Sequence, residues 1–142
     1  MPTMDSTEIV VANDLAEIER LKQFIEAFCK RHDVPPAMTF HFQLACDEAV
    51  TNIISYGYDG DDAKHAINLR MWIEDHAVSA EIKDGAKPYD PLTQAPIPDL
   101  DADMEDRPIG GLGVHFIKTF MDTAHYHRIG GLNCLSFSKK MP

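Results

Sequence analysis

An α+β two-layer sandwich, with an antiparallel-rich mixed sheet and helices on one face, is the fold class this sequence predicts. Three observations point to it. Apolar residues recur at helical spacing in three segments and alternate with polar residues in others. Taken in order, the segments read β-αα-ββ-loop-α-ββ, without the strand-helix alternation of a parallel sheet. The later strands follow one another through short turn signals, as in hairpins. The 142 residues match one compact domain spanning 1–142.

The elements follow in chain order. Glu8–Ala12 is a short β-prone segment. Asp14-x-x-Glu17 resembles a capping box, after which Leu15, Ile18, Leu21, Phe24 or Ile25, and Phe28 keep helical spacing. That helix should stop near His32, before Pro35-Pro36. A second, largely apolar helix is expected from about Ala37 to Ser55, deeply buried, with a loop from Gly57 to Asp62. Ile67, Leu69, Met71 and Ile73 alternate as on a half-buried strand, and Glu74-Asp75-His76 marks a hairpin turn. The returning strand places Val78, Ala80 and Ile82 on one face, and Asp84 shares their parity. A carboxylate at the end of a core face needs a hydrogen-bond donor, and a ligand is one candidate. Residues 90–106 hold six acidic residues, no basic ones and three prolines, which reads as a mobile loop. Gly110-Gly111-Leu112-Gly113 leads into a helical segment, Val114–Met121. Two last strands, about Thr123–Ile129 and Asn133–Lys139, flank Gly130-Gly131, a two-residue hairpin turn.

Charge and composition exclude several functions. A net charge of −10 lacks the basic footprint that nucleic acid or an anionic membrane requires, and suits a basic protein partner. The first residues carry no signal-peptide pattern, and no apolar run approaches bilayer length. Cys29, Cys46 and Cys134 are odd in number, far apart and in apolar surroundings, so they read as reduced core thiols of a cytoplasmic protein. The seven histidines show no metal-ligand spacing, and His125-x-His127 reads as strand surface.

Residues 47–58 carry the strongest chemical signal. Glu48 and Asn52 stand four apart in an apolar, helix-periodic run, so they share one helix face. A carboxylate and a carboxamide together offer a base beside an oxygen ligand for a metal ion; an exposed polar face is the plainer alternative. Three segments follow: Asp84-Gly85-Ala86 after a strand, Gly111-x-Gly113 before a helix, and Gly130-Gly131 between strands. Glycines before a helix let backbone N–H groups reach a phosphate, and equally suit a tight turn. No G-x-G-x-x-G follows the first strand and no Gly-Lys-Ser/Thr occurs, so neither a dinucleotide fold nor a P-loop is indicated.

In this order the motifs resemble the gyrase-type (Bergerat, GHKL) ATP-binding fold. More narrowly, they resemble the small anti-sigma-factor serine kinases of the RsbW and SpoIIAB type, from about Phe42 to Lys139. Glu48-Ala49-Val50-Thr51-Asn52 with Tyr56-Gly57-Tyr58 is similar to the family's N-box, and Asp84 to Pro91 to its D-x-G segment. Arg107-Pro108-Ile109-Gly110-Gly111-Leu112-Gly113, ending in Phe120-Met121-Asp122, is similar to its second glycine box. Two departures stand out: Ala86 replaces a usual glycine, and Gly131-Leu132-Asn133 replaces a usual Gly-Thr.

The resemblance implies an ATP site spanning about residues 45–133. Asp84 would accept from the adenine amino group, with Ala86 and Lys87 in the adjoining loop. Asn52 would be a Mg²⁺ ligand and Glu48 the general base. Gly110, Gly111 and Gly113 would let the backbone approach the phosphates, which Arg107 or Lys87 would also touch. The acidic loop would face either Mg²⁺-ATP or the protein partner. The implied activity is phosphorylation of a STAS-type antagonist in a partner-switching circuit, with a sigma factor or other effector as second partner and homodimerisation. The alternative is a binding module in which ATP only shapes the partner surface. A detached sensor histidine-kinase ATPase domain is disfavoured, because only about forty residues precede the N-box helix.

Overall fold

The computed structural model describes residues 5–58, 65–94 and 112–142. Strand β1 (Asp5–Ala12) leads through a single 3₁₀ turn (Leu15–Glu17) into helix α1 (Ile18–Arg31) and helix α2 (Pro36–Asn52). Strands β2 (Ala66–Glu74) and β3 (Ala77–Asp84) follow, then a one-turn helix α3 (Pro91–Gln94). Helix α4 (Leu112–Phe120) precedes strands β4 (Thr123–Ile129) and β5 (Leu132–Lys140). The five strands form one sheet in the order β1-β2-β3-β5-β4. All four pairings are antiparallel, so the sheet is antiparallel throughout its described strands.

Side-chain parity explains the layering. Ile9, Leu69, Ile82, Leu135 and Tyr126 form one cross-strand row on the inner face. Helices α1 and α2 close over this face with Leu21, Ile25, Phe28, Phe42 and Val50, all fully buried. Phe42 of α2 meets Phe137 of β5 at 5.7 Å between ring centroids. Helix α2 touches both α1 and α4, which accounts for its apolar sequence. The next row begins apolar and ends polar: Val11, Ile67, Asp84, Asn133, Arg128. A cavity opens where this row changes character.

Both hairpins close as their turns require. Asp75 and His76 sit at φ 52° and 63°, and Gly130 and Gly131 at 59° and 79°, the left-handed conformation that a type I′ turn requires of both central residues.

Three details differ from the sequence expectations. Asp14 Oδ1 accepts from the Ala16 N–H at 2.9 Å, but Glu17 reaches the Ala12 N–H at 3.3 Å, two residues beyond the capping-box partner. The 3₁₀ turn that this creates leaves Leu15 exposed, outside the helical stripe. The second helix does not end at Ser55: α2 gives way at Ile53 to a π-helical turn, Ile53–Gly57, which carries Gly57 out of the expected loop. Pro91–Gln94 is helical within the expected acidic loop, and 95–111 lie outside the described residues.

Cys29 and Cys46 belong to the core, Cys134 is buried on the opposite face of the sheet, and all three are free thiols. Burial pushes the Cys46 thiol far up, so it is inert at neutral pH. Among the described residues no helix is long and apolar enough to cross a membrane.

Candidate functional site

A cavity of about 320 Å³ lies between the end of α2 and the polar end of the sheet. Its helix wall is Ala49, Asn52, Ile53, Tyr56 and Gly57. The strand wall is Ile82, Asp84, Leu135, Asn133 and Tyr126, and the segment after β3 adds Ala86, Lys87, Tyr89 and Pro91. The lining is mainly apolar with a few converging polar groups, the make-up of a small-molecule site.

Asp84 ends the inner face of β3 and is 5% exposed. Both hydrogen bonds that described residues make to its carboxylate fall on Oδ1: from the Ala86 N–H at 2.9 Å and from Asn133 Nδ2 at 3.0 Å. Oδ2 is left as the acceptor beside the cavity. The sequence reading of a carboxylate on a core face holds, and the Ala86 N–H and Asn133 amide supply donors to it.

Asn133 is the residue whose role the sequence did not reveal. It is 6% exposed and stands directly across from Asp84. Its Nδ2 also donates to the Lys87 and Ala86 carbonyls, at 3.0 and 3.3 Å. Its Oδ1 accepts from the Tyr126 hydroxyl, from Arg128 Nη1 at 3.0 Å and from the Tyr89 N–H at 3.4 Å. A readable signal existed: Asn133 shares parity with Leu135 and Phe137, the argument already applied to Asp84. Arg128 had none, since its importance follows from the pairing of β4 with β5.

Ala86 explains the first departure. It is 4% exposed, and a Cβ placed on Gly57 would lie 2.8 Å from the Ala86 Cβ. The methyl group thus fills space that a side chain at 57 would need. A hydrogen bond from the Lys87 N–H to the Gly57 carbonyl, at 3.3 Å, closes the same seam. Lys87 itself is exposed at the cavity edge.

On the helix wall, Asn52 Nδ2 donates to Glu48 Oε1 at 3.3 Å. This contact assigns the amide orientation and turns Oδ1 away from Glu48. Glu48 does not itself line the cavity; it stands one helical turn back, and its charge, after burial, helps push the Tyr89 hydroxyl upward. Burial likewise raises Tyr58, with the Asp84 charge adding to it. The Tyr58 ring stacks on His65 at 3.8 Å.

Gly113 is the second residue of α4, while Arg107, Gly110 and Gly111 lie outside the described residues. Thus Asn52, Asp84, Ala86 and Lys87 come together around one cavity, and Glu48 stands one helical turn behind Asn52. Among the described residues, no group of three or more His, Cys, Asp or Glu side chains is placed to hold a metal ion.

No curated protein matches the sequence. A solved structure, the RsbU and RsbW domains of Rv1364c from Mycobacterium tuberculosis, superposes with a TM-score of 0.68 at 14% identity. The match covers 99% of this chain and 33% of that one, so this chain spans about a third of its neighbour's length and shares its fold. The histidine kinase-like ATPase domain matches residues 11–139, nearly the whole sequence. With the cavity and its carboxylate in the same span, the chain belongs to the histidine kinase-like ATPase domain family.

Proposed function

We propose that this protein is a cytoplasmic, ATP-dependent protein-serine kinase and anti-sigma factor that phosphorylates a STAS-type antagonist in a partner-switching circuit and works as a homodimer. The observation that carries the nucleotide part is the buried residue Asp84, which lines an apolar cavity and takes both its hydrogen bonds from described residues on Oδ1, leaving Oδ2 as an acceptor. The exocyclic amino group of adenine is a donor of matching polarity, and the apolar lining takes the flat ring. The family and the fold shared with an RsbW-containing chain support the kinase and partner-switching part.

The helix wall supplies the chemistry in this reading. Asn52 fits a Mg²⁺ ligand, because its amide nitrogen is committed to Glu48 and its oxygen is not. A magnesium ion keeps several waters and needs few protein oxygens, so the lack of an acidic cluster among the described residues is compatible with it. The ion supplies charge neutralisation on the phosphates. Glu48 takes the proton from the attacking serine hydroxyl on its carboxylate. Positioning and neutralisation supply most of the acceleration in phosphoryl transfer, so one base suffices. Gly110, Gly111 and Gly113, with Arg107 or Lys87, contact the phosphates.

One observation favours a second reading: Glu48 stands outside the cavity wall. In that reading ATP shapes a surface that sequesters a regulatory protein, without transfer. Capture of partners in ATP and in ADP, followed by mass spectrometry for phosphoserine, separates the two. The kinase predicts phosphoserine on a STAS-type protein in the ATP arm. ATP-dependent capture without phosphoserine supports the binding module instead.

A further inference from the structure

We propose that Asn133 and Arg128 are positioning residues that aim the Asp84 carboxylate and so set the base selectivity of the cavity. This inference rests on the reading of the cavity as a nucleotide site. It goes beyond that reading because neither residue need touch the base.

Asp84, Asn133 and Arg128 are consecutive members of one row across β3, β5 and β4, so their order is fixed by backbone pairing. Asn133 can sit in this row in only one amide orientation. Three acceptors face its nitrogen: Asp84 Oδ1 and the carbonyls of Ala86 and Lys87. Three donors face its oxygen, from Tyr126, Arg128 and Tyr89. A flipped amide would set oxygen against oxygen on one side and N–H against N–H on the other.

Arg128 locks that orientation from outside. Its Nη1 is shared between Asn133 Oδ1 and the Ala86 carbonyl, both at 3.0 Å, and its Nη2 reaches the Gly131 carbonyl at 3.2 Å. A cation on the amide oxygen polarises the amide and strengthens the opposite N–H as a donor to Asp84. The carboxylate is thereby pinned through Oδ1, and Oδ2 is the oxygen held toward the ligand. An acceptor held there favours a 6-amino purine over a 6-oxo purine, whose carbonyl would meet it oxygen to oxygen. Asn133 acts through Asp84, since protein partners already fill its amide.

The test compares ATP, GTP and purine riboside triphosphate, which lacks the 6-amino group, by calorimetry. The proteins are wild type, Asn133→Asp and Arg128→Met. Asn133→Asp keeps the shape but turns a donor into an acceptor facing Asp84. It should weaken ATP about tenfold or more, as expected for loss of a charge-assisted hydrogen bond. Binding of the analogue should change less than about twofold. Arg128→Met, at an exposed residue, should fold normally and shift the ATP-to-analogue ratio in the same direction by about threefold. It carries the test if Asn133→Asp does not fold. Equal weakening of ATP and analogue would make the row merely structural and overturn the proposal, as would unchanged ATP-to-analogue and ATP-to-GTP ratios. Wild-type protein that binds none of the three overturns the nucleotide reading itself, a result distinct from any difference among variants.

Discussion

The two walls of the cavity are built on different principles. On the strand wall, backbone register sets each polar side chain, and Asn133 alone joins Asp84, two loop carbonyls, Tyr126, Tyr89 and Arg128. On the helix wall, Asn52 meets Glu48 through one long contact of 3.3 Å along a single helix face. The strand wall is over-determined, which suits recognition of one fixed ligand group. The helix wall joins two neighbouring groups by a long contact, and catalytic hydrogen bonds of that kind tighten once substrate is bound. Gly57 and Ala86 form the seam between them.

The largest expected effect would sharpen this division. Glu48→Gln keeps size and shape but cannot take up a hydroxyl proton. Single-turnover phosphate transfer should fall about 10²–10⁴-fold while ATP and partner affinity stay near wild type. Transfer within a few-fold of wild type would remove Glu48 from the base role. Next, Asn52→Ala should abolish the gain in ATP affinity on adding magnesium. A gain equal to that of wild type would show that Asn52 is not a ligand.

The seam gives a smaller, structural effect. Gly57→Ala brings a methyl group to 2.8 Å from Ala86 Cβ, so one backbone segment must shift. Thermal or denaturant unfolding should show a loss of about 1–3 kcal/mol, as for overpacking elsewhere. Adding Ala86→Gly should recover much of it, and no recovery would mean that the two positions do not clash.

The smallest effect lies away from both walls. The Lys140 N–H, at 2.7 Å, and then Lys139 hold the Asp122 carboxyl below its ordinary value of 3.8. Its folded value is depressed, so its contribution is present above that ordinary value and fades as pH falls through the folded one. Asp122→Asn should therefore melt slightly below wild type at neutral pH, and the two should converge in acid. A gap that persists in acid would exclude this origin.

How much of this was legible in the sequence follows the same division. Local patterns revealed both poles of the cavity. Strand parity marked Asp84, and the four-residue spacing marked Glu48 and Asn52. The element order and the two hairpin turns predicted an antiparallel-rich mixed sheet, and the described strands pair antiparallel throughout. What joins the poles was not legible, because it depends on non-local pairing. Strand β5 lies between β3 and β4, and that exchange of order sets Asn133 beside Asp84 with Arg128 behind it. Strand parity could place Asn133 on the core face but not beside Asp84, and Ala86 showed only a missing glycine. The compensations, a hydrogen-bonded amide and a glycine at 57, lie far away in sequence. The π-helical turn had no local signal either, since Ile53 to Gly57 fits the spacing of an ordinary helix end.

The central claim is that Asp84 receives the base of ATP. Calorimetric titration of Mg-ATP into wild type and Asp84→Asn tests it most directly. A charge-assisted hydrogen bond contributes about 1.5–3 kcal/mol. The variant should therefore bind about one to two decades more weakly while keeping the wild-type melting profile. Equal ATP affinity for the two proteins would contradict the account.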